Sequence, residues 1–249
     1  MKLSRNLQLI VIPVINEFEN LKILLPKILE MSSNADLLVI DDSSTDGTNS
    51  LIQEIQANFE SRMLYILNQE SLGIGGAHLQ GLRFASENKY ELVATMDGDL
   101  THDPSDIERF IFKMNENPQI DLIIGSRFLP KSRINNWPFL RILLTYAGHL
   151  FTMITLQMRE DLSSGLRIYR VNAIPRNLLA MEEHIGYEYF ALSAYMYKLS
   201  NRKISEMDVI LNPRGKGNSK LTLTKAVKSI KSTVRLRIFS GQLYLQVKE

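Results

Sequence analysis

Glu91-Leu92-Val93-Ala94-Thr95-Met96 runs straight into Asp97-Gly98-Asp99, with Leu100-Thr101-His102-Asp103-Pro104 behind it. The apolar run has the length of a buried strand, and two carboxylates one residue apart close it. Two residues apart, Asp97 and Asp99 fall on one face of an extended chain, and a turn there lets both approach one divalent ion that bridges phosphate oxygens. Gly98 between them lets a ligand come close to the backbone. A bare Asp-x-Asp is most often a solvated turn. This one gains weight from its place after the fourth strand of a pattern that alternates strands and helices.

That pattern extends to both sides. Leu7 to Val14 reads as a first buried strand ending in the Pro13 to Asn16 loop, and residues 19–31 read as a helix. Asp36 to Ile40 is a second strand; it stops at Asp41-Asp42-Ser43-Ser44-Thr45-Asp46-Gly47-Thr48, and a helical pattern resumes over Leu51 to Phe59. Met63 to Leu67 is a third strand, Gly73 to Ala85 a glycine-rich helix, Asp106 to Met114 another helix, and Asp121 to Gly125 a fifth strand. The expected fold is α/β: a mostly parallel, Rossmann-like sheet with helices on both faces, whose ligands bind beyond the carboxyl ends of the strands. Asp41 and Asp42 stand at one such end, where a carboxylate can accept from a base or a ribose hydroxyl. Asp46 reads as a helix cap.

Gly73, Gly75, Gly76 and Gly81 do not form a dinucleotide fingerprint, because His78 stands where the third glycine is required. No Walker sequence occurs, and the four histidines have no metal-ligand spacing. The chain of 249 residues has no cysteine, which removes disulfide scaffolds, thiolate nucleophiles, zinc-cysteine sites and iron–sulfur clusters together. With 45% hydrophobic and 22% charged residues it has a globular composition.

The net charge of +2 is unevenly spread: residues 1–208 carry an acidic excess, while 209–249 hold nine Lys and Arg against the single Glu249. Such a tail fits an anionic partner. On a helical wheel over Leu221 to Arg237, Lys225, Lys228, Lys231 and Arg235 share one side, while Leu223, Val227, Ile230 and Val234 share the other. This is a basic amphipathic helix suited to a membrane surface. Nucleic acid is not an expected partner, since no aromatic and basic interleaving accompanies it. The longest apolar stretch, Phe139 to Met158, is interrupted by Arg141 and His149, which favours a buried or interfacial helix pair over a membrane span. Met1 to Arg5 is polar and leads directly into a strand, as expected of a cytoplasmic protein rather than one with a secretory leader.

The residues also resemble a known family. Pro13-Val14-Ile15-Asn16-Glu17, the Asp41 to Thr48 loop, Leu72-Gly73 with Gly81, Asp97 to Pro104, and Gly125-Ser126-Arg127-Phe128 occur in the order of family 2 GT-A glycosyltransferases. Trp137 with Arg141, Asp161-Leu162-Ser163-Ser164-Gly165-Leu166-Arg167, and Arg214 with Gly217-Asn218-Ser219-Lys220-Leu221 resemble the dolichol-phosphate mannosyltransferase branch. The chain departs from that pattern at Ile15, where the family has an aromatic residue, and at Leu192, where it usually has a glutamate.

The resemblance implies a metal-dependent, inverting transfer from a nucleotide sugar (GDP-mannose or a UDP-hexose) to a polyprenyl phosphate at the cytoplasmic membrane face, with a membrane-anchoring subunit as a further partner to look for. Carried over by position, Pro13, Glu17, Ile40 and Asp42 would contact the nucleoside. Asp97, Gly98 and Asp99 would hold the diphosphate through Mg²⁺ or Mn²⁺, with Thr101 as another oxygen near the metal. Arg127, Arg214 and Lys220 would sit over the phosphates, and Arg141 and Arg167 would bind the acceptor phosphate. Because no acid occurs from Val209 to Lys248, Arg214 and Lys220 are expected to be free of local carboxylates. Residues 1–221 form the expected catalytic unit and 222–249 a basic helical tail. Transfer to a hydroxyl of a growing glycan, and a catalytically idle nucleotide-binding scaffold, are the alternatives.

Overall fold

The computed structural model describes residues 7–31, 34–182, 185–216 and 223–238, with the side chains of the last helix described from Ile230 onward. The first half alternates strictly: β1 (Gln8–Val14), α1 (Phe18–Met31), β2 (Ala35–Asp41), α2 (Thr48–Asn58), β3 (Met63–Leu67), α3 (Gly73–Glu87), β4 (Leu92–Thr95), α4 (Ser105–Glu116) and β5 (Leu122–Ser126). These elements match the expected ones to within a few residues. Beyond them lie β6 (Arg133–Ile134), α5 (Phe139–Leu156), β7 (Arg167–Arg170), α6 (Arg176–Leu179), α7 (Glu188–Leu199), β8 (Ile204–Asp208), β9 (Ile210–Leu211) and α8 (Leu223–Ile238).

Seven strands form one sheet in the order β3-β2-β1-β4-β7-β5-β8, and β6 pairs with β9 separately. Every neighbouring pair in the large sheet is parallel except those of β7, which runs antiparallel to β4 and β5. The amino end of β7 therefore arrives beside the carboxyl ends of β4 and β5. In register, Val14 stands opposite Asp41 and Val11 opposite Thr95, so the loops after β1, β2 and β4 open on one edge of the sheet.

Alternation along the strands builds two cores. Ile10, Ile12 and Val14 of β1 pack with Leu24 and Ile28 of α1 and Phe110 of α4, while Leu9 and Val11 pack with Leu79 and Leu82 of α3 and Tyr195 of α7. Burying one such aliphatic side chain contributes about 1.5–3 kcal/mol. Gly81 sits where α3 crosses β1: a Cβ there would lie 2.4 Å from Val11 Cγ1, so any larger residue would push the helix off the sheet.

The apolar stretch after Trp137 departs from expectation. It is one helix, not a pair, and of the 18 residues of α5 only Leu156 is buried. Phe139, Leu143, Tyr146, Leu150 and Ile154 recur at helical spacing on one face and all are exposed, Phe139 to 80% and Ile154 to 68%. Eighteen residues reach about 27 Å, just under the ~30 Å of a bilayer's hydrocarbon core. α8 packs against both α5 and α7, and its Ile230, Val234 and Ile238 also face outward.

Candidate active site

The turn after β4 leaves both carboxylates partly exposed and places His102 and Tyr187 in the field of both. Leu100 adopts a left-handed conformation (φ 63°), uncommon for a branched side chain, and this turns the Thr101 N–H back to donate to Asp99 Oδ1 at 3.0 Å. Arg214 donates from Nη1 to Asp99 Oδ2 at 3.3 Å and from Nη2 to Glu17 Oε1. The expectation that Arg214 lacks a carboxylate is thus corrected: its two partners come from 115 and 197 residues away in the chain. Its segment is tied down by Gly215 N donating to the Asp99 carbonyl, Lys216 N to Asn20 Oδ1, and Asn212 N to the Thr101 carbonyl. Buried Glu17, expected against the nucleoside, also accepts from Asn20 Nδ2, so it serves this ion-pair cluster. Lys220 lies outside the described residues.

Asp97 sits between two elements. His78 of α3, fully buried, brings Nε2 to 3.8 Å from Asp97 Oδ1, and a Cβ on Gly165 would lie 2.7 Å from the same oxygen. Burial pushes the Asp97 carboxyl upward, but His78, His102 and Arg214 outweigh it and hold the group below its ordinary range. His102 moves down, because burial outweighs the pull of Asp97 and Asp99. Burial, with Asp97 adding to it, pushes the Tyr187 hydroxyl up to about 12.

The carboxyl end of β2 is arranged differently. Asp42, buried, accepts from Ser71 Oγ at 2.6 Å, Leu72 N at 2.8 Å, Gly73 N at 3.0 Å and Asn68 Nδ2 at 3.2 Å. Its two oxygens hold the entrance to α3, where a carboxylate open to a ribose was expected. Asp46 accepts from the Phe18 N–H at the start of α1 and from the Thr48 N–H and hydroxyl, so it does act at helix starts. Ile40 is fully buried on the α3 side of the sheet, which leaves its side chain no surface for a nucleoside; Pro13 is half-buried on β1 opposite it.

The arginines separate into three kinds. Arg127 donates from Nε to Asp161 Oδ2 at 2.7 Å and from Nη2 to Asp161 Oδ1 at 2.6 Å, and Asp161 is fully buried. Burial alone would raise Asp161, but the Arg127 guanidinium holds it low. Arg167 is also fully buried and donates to the Ser164, Leu162 and Phe190 carbonyls and to Ser193 Oγ. This corrects its expected place at an acceptor phosphate, since every one of those contacts is internal to the fold. Arg141, at the head of α5, is exposed; its guanidinium lies 3.5 Å over the Trp137 ring, in the field of Asp99, Arg127 and Arg214, and takes part in no ion pair among the described residues.

Sequence reasoning missed His78, His102 and Asp161 as parts of this site. The hydroxyl of Thr101, both ring nitrogens of His78 and Nδ1 of His102 are buried without a hydrogen-bond partner. Polar atoms that have not found a partner thus occur on residues near Asp97 and Asp99 in the fold or in the chain. Among the described residues no three acidic or histidine side chains are grouped tightly enough to enclose a metal ion. Two partly exposed carboxylates one residue apart do suit a hard divalent cation that takes its remaining oxygens from water and phosphate.

The family model described as "Glycosyl transferase family 2" matches residues 9–175. The undecaprenyl-phosphate mannosyltransferase of Micrococcus luteus is 30% identical over 216 residues, covering 86% of this chain and 87% of that protein. The polyprenol monophosphomannose synthase of Mycolicibacterium smegmatis is 27% identical, covering 86% of this chain and 80% of its own length. Among solved structures, glucosyl-3-phosphoglycerate synthase from Mycobacterium tuberculosis superposes with a TM-score of 0.62 at 16% identity, covering 94% of this chain and 79% of that one. It has also been solved with Mn²⁺, UDP-glucose and glycerol 3-phosphate, a form that superposes with a TM-score of 0.59. The structural likeness establishes the GT-A fold, and the matched sequence places this glycosyltransferase in glycosyl transferase family 2.

Proposed function

We propose that this chain transfers a hexosyl group, mannose by analogy with its relatives, from a nucleotide sugar to a polyprenyl phosphate at a membrane surface. One juxtaposition carries the reading: Asp99 lies in the field of Arg141, an arginine that makes no ion pair among the described residues and stands at the head of the exposed apolar helix α5. A lipid phosphate needs both, a cation for its head and an apolar surface for its chain.

The donor's diphosphate would lie over Asp97 and Asp99, which would hold Mg²⁺ or Mn²⁺ with it; the metal would supply charge stabilisation of the departing nucleoside diphosphate. Arg214, already held above Asp99, would exchange its Asp99 contact for a phosphate oxygen and keep Glu17. Arg141 would receive the acceptor phosphate, and Arg127, neutralised by Asp161, would shape the wall between them. A phosphate monoester with its second pKa near 6 is already an anionic nucleophile at neutral pH, so no protein base is required. In-line attack then inverts the anomeric centre.

The membrane face is proposed to be α5 with the outward apolar edge of α8, flanked by exposed Lys231 and Arg235. This moves the main lipid contact from the basic helix, where the sequence placed it, to α5. The test is incubation of the protein with radiolabelled GDP-mannose or UDP-glucose, Mn²⁺ and polyprenyl phosphate in vesicles. Label should enter the organic phase in a mild-acid-labile product. Label found only in a water-soluble glycan would replace the lipid acceptor with a hydroxyl.

A further inference from the structure

His78 is hard to explain as packing. It is fully buried, its ring stacks on Tyr189 with centroids 5.8 Å apart and meets Phe190 edge-on at 5.0 Å, and a phenyl ring would fill that slot without a polar cost. Yet both of its nitrogens lie buried without a hydrogen-bond partner. Nε2 is 3.8 Å from Asp97 Oδ1, about 1 Å beyond a normal hydrogen bond. The backbone at Gly165 abuts the same carboxylate. Asp97 thus has a close backbone neighbour and a donor just out of reach, whereas Asp99 is already fixed by Thr101 N and Arg214.

We propose that His78 is a positioning residue: its Nε2–H closes on Asp97 Oδ1 when the donor and cation arrive, and fixes the carboxylate against Gly165 in the orientation that binds the cation. The inference rests on the reading of Asp97 as a metal ligand. Groups that hydrogen-bond a ligating carboxylate typically set metal affinity or activity by about 10–100-fold. Nε2 is the ring nitrogen that faces the carboxylate oxygen, so its N–H is the one placed to donate.

The experiment compares His78→Phe, His78→Gln and His78→Asn, with Asp97→Asn alongside. Mn²⁺ is titrated in the presence of GDP, and separately UDP, and the free ion is followed by electron paramagnetic resonance without turnover. His78→Phe should weaken Mn²⁺ binding about tenfold or more. His78→Gln, whose amide reaches the Nε2 position, should recover to within about threefold of the parent, while His78→Asn, whose amide reaches only the Nδ1 position, should not. If His78→Phe does not fold, the Gln and Asn pair still decides. Parental Mn²⁺ affinity in His78→Phe, or equal affinity in the Gln and Asn variants, overturns the proposal while weak binding by Asp97→Asn leaves the metal reading standing. Parental binding by Asp97→Asn overturns the metal reading itself, and this inference with it.

Discussion

Asp42 at the end of β2 and Asp97 at the end of β4 occupy equivalent places, each an acid at the ligand edge of a parallel strand, and they are treated oppositely. Asp42 accepts four hydrogen bonds from one loop, and the Arg127–Asp161 pair after β5 is closed in the same way. Asp97, by contrast, is bounded by a histidine at 3.8 Å, a glycine wall, and buried polar atoms that have found no partner. Two of the three strand ends are locked to hold the loops in shape, and the third is left chemically incomplete. Among these three ends, unspent hydrogen bonds single out the one proposed to carry the chemistry.

The comparison can be broken most decisively at the open end. Asp99→Ala should lower turnover by about 10³-fold or more while the thermal midpoint moves little. Near-normal turnover would show that the reacting diphosphate sits elsewhere.

At the closed end after β5, Arg127→Met should destabilise the fold by about 3–5 kcal/mol near neutral pH, measured by urea denaturation, because it leaves Asp161 buried without its cation. The Asp161 pKa is depressed in the fold, so its stabilisation is full above the ordinary carboxylate range and is lost as pH falls toward the depressed value. The gap between parent and variant should accordingly narrow in acid; a gap that widens would exclude the pair as its cause.

A smaller effect is expected at the end of β2. Asp42→Asn should cost about 2 kcal/mol, since the amide directs N–H groups at other N–H and O–H donors, and should reduce turnover less than Asp99→Ala does. Unchanged stability with a loss of turnover equal to that of Asp99→Ala would reverse the assignment of the two ends. Last, Leu143→Gln with Leu150→Gln, both exposed on α5, should lower partitioning onto anionic vesicles about tenfold at unchanged thermal midpoint. Lys231→Gln with Arg235→Gln should lower it by a similar or smaller factor that vanishes in high salt. If only the basic pair matters, the lipid contact returns to α8.

The two halves of the chain were unequally legible. Through β5 each strand is an apolar run and each helix has a 3.6-residue pattern, so periodicity finds them. β7 hides because it is Arg167-Ile168-Tyr169-Arg170, a central strand with an arginine at each end, one of which is buried by hydrogen bonds that come from elsewhere. β8, Ile204-Ser205-Glu206-Met207-Asp208, is an edge strand with two acids and no buried residue. In the site, Asp97 and Asp99 were readable from local sequence. Glu17 and Arg214 were expected at the site from the resemblance but not as an ion pair, and His78 was not expected there at all, because these contacts form only through the fold. Arg214 looked unpaired for the same reason: a stretch free of acids says nothing about acids brought in by the loops after β1 and β4.

The antiparallel insertion of β7 ties the two chemistries together along the backbone. Gly165, whose main chain presses on Asp97, comes nine residues after Leu156 ends α5, and Asp161 anchors the chain between them to Arg127. A shift of α5 that passed this anchor would reach the peptide beside the carboxylate. In thermodynamic terms the coupling must be reciprocal: a factor by which a lipid surface at α5 alters donor affinity is the factor by which bound donor alters affinity for that surface.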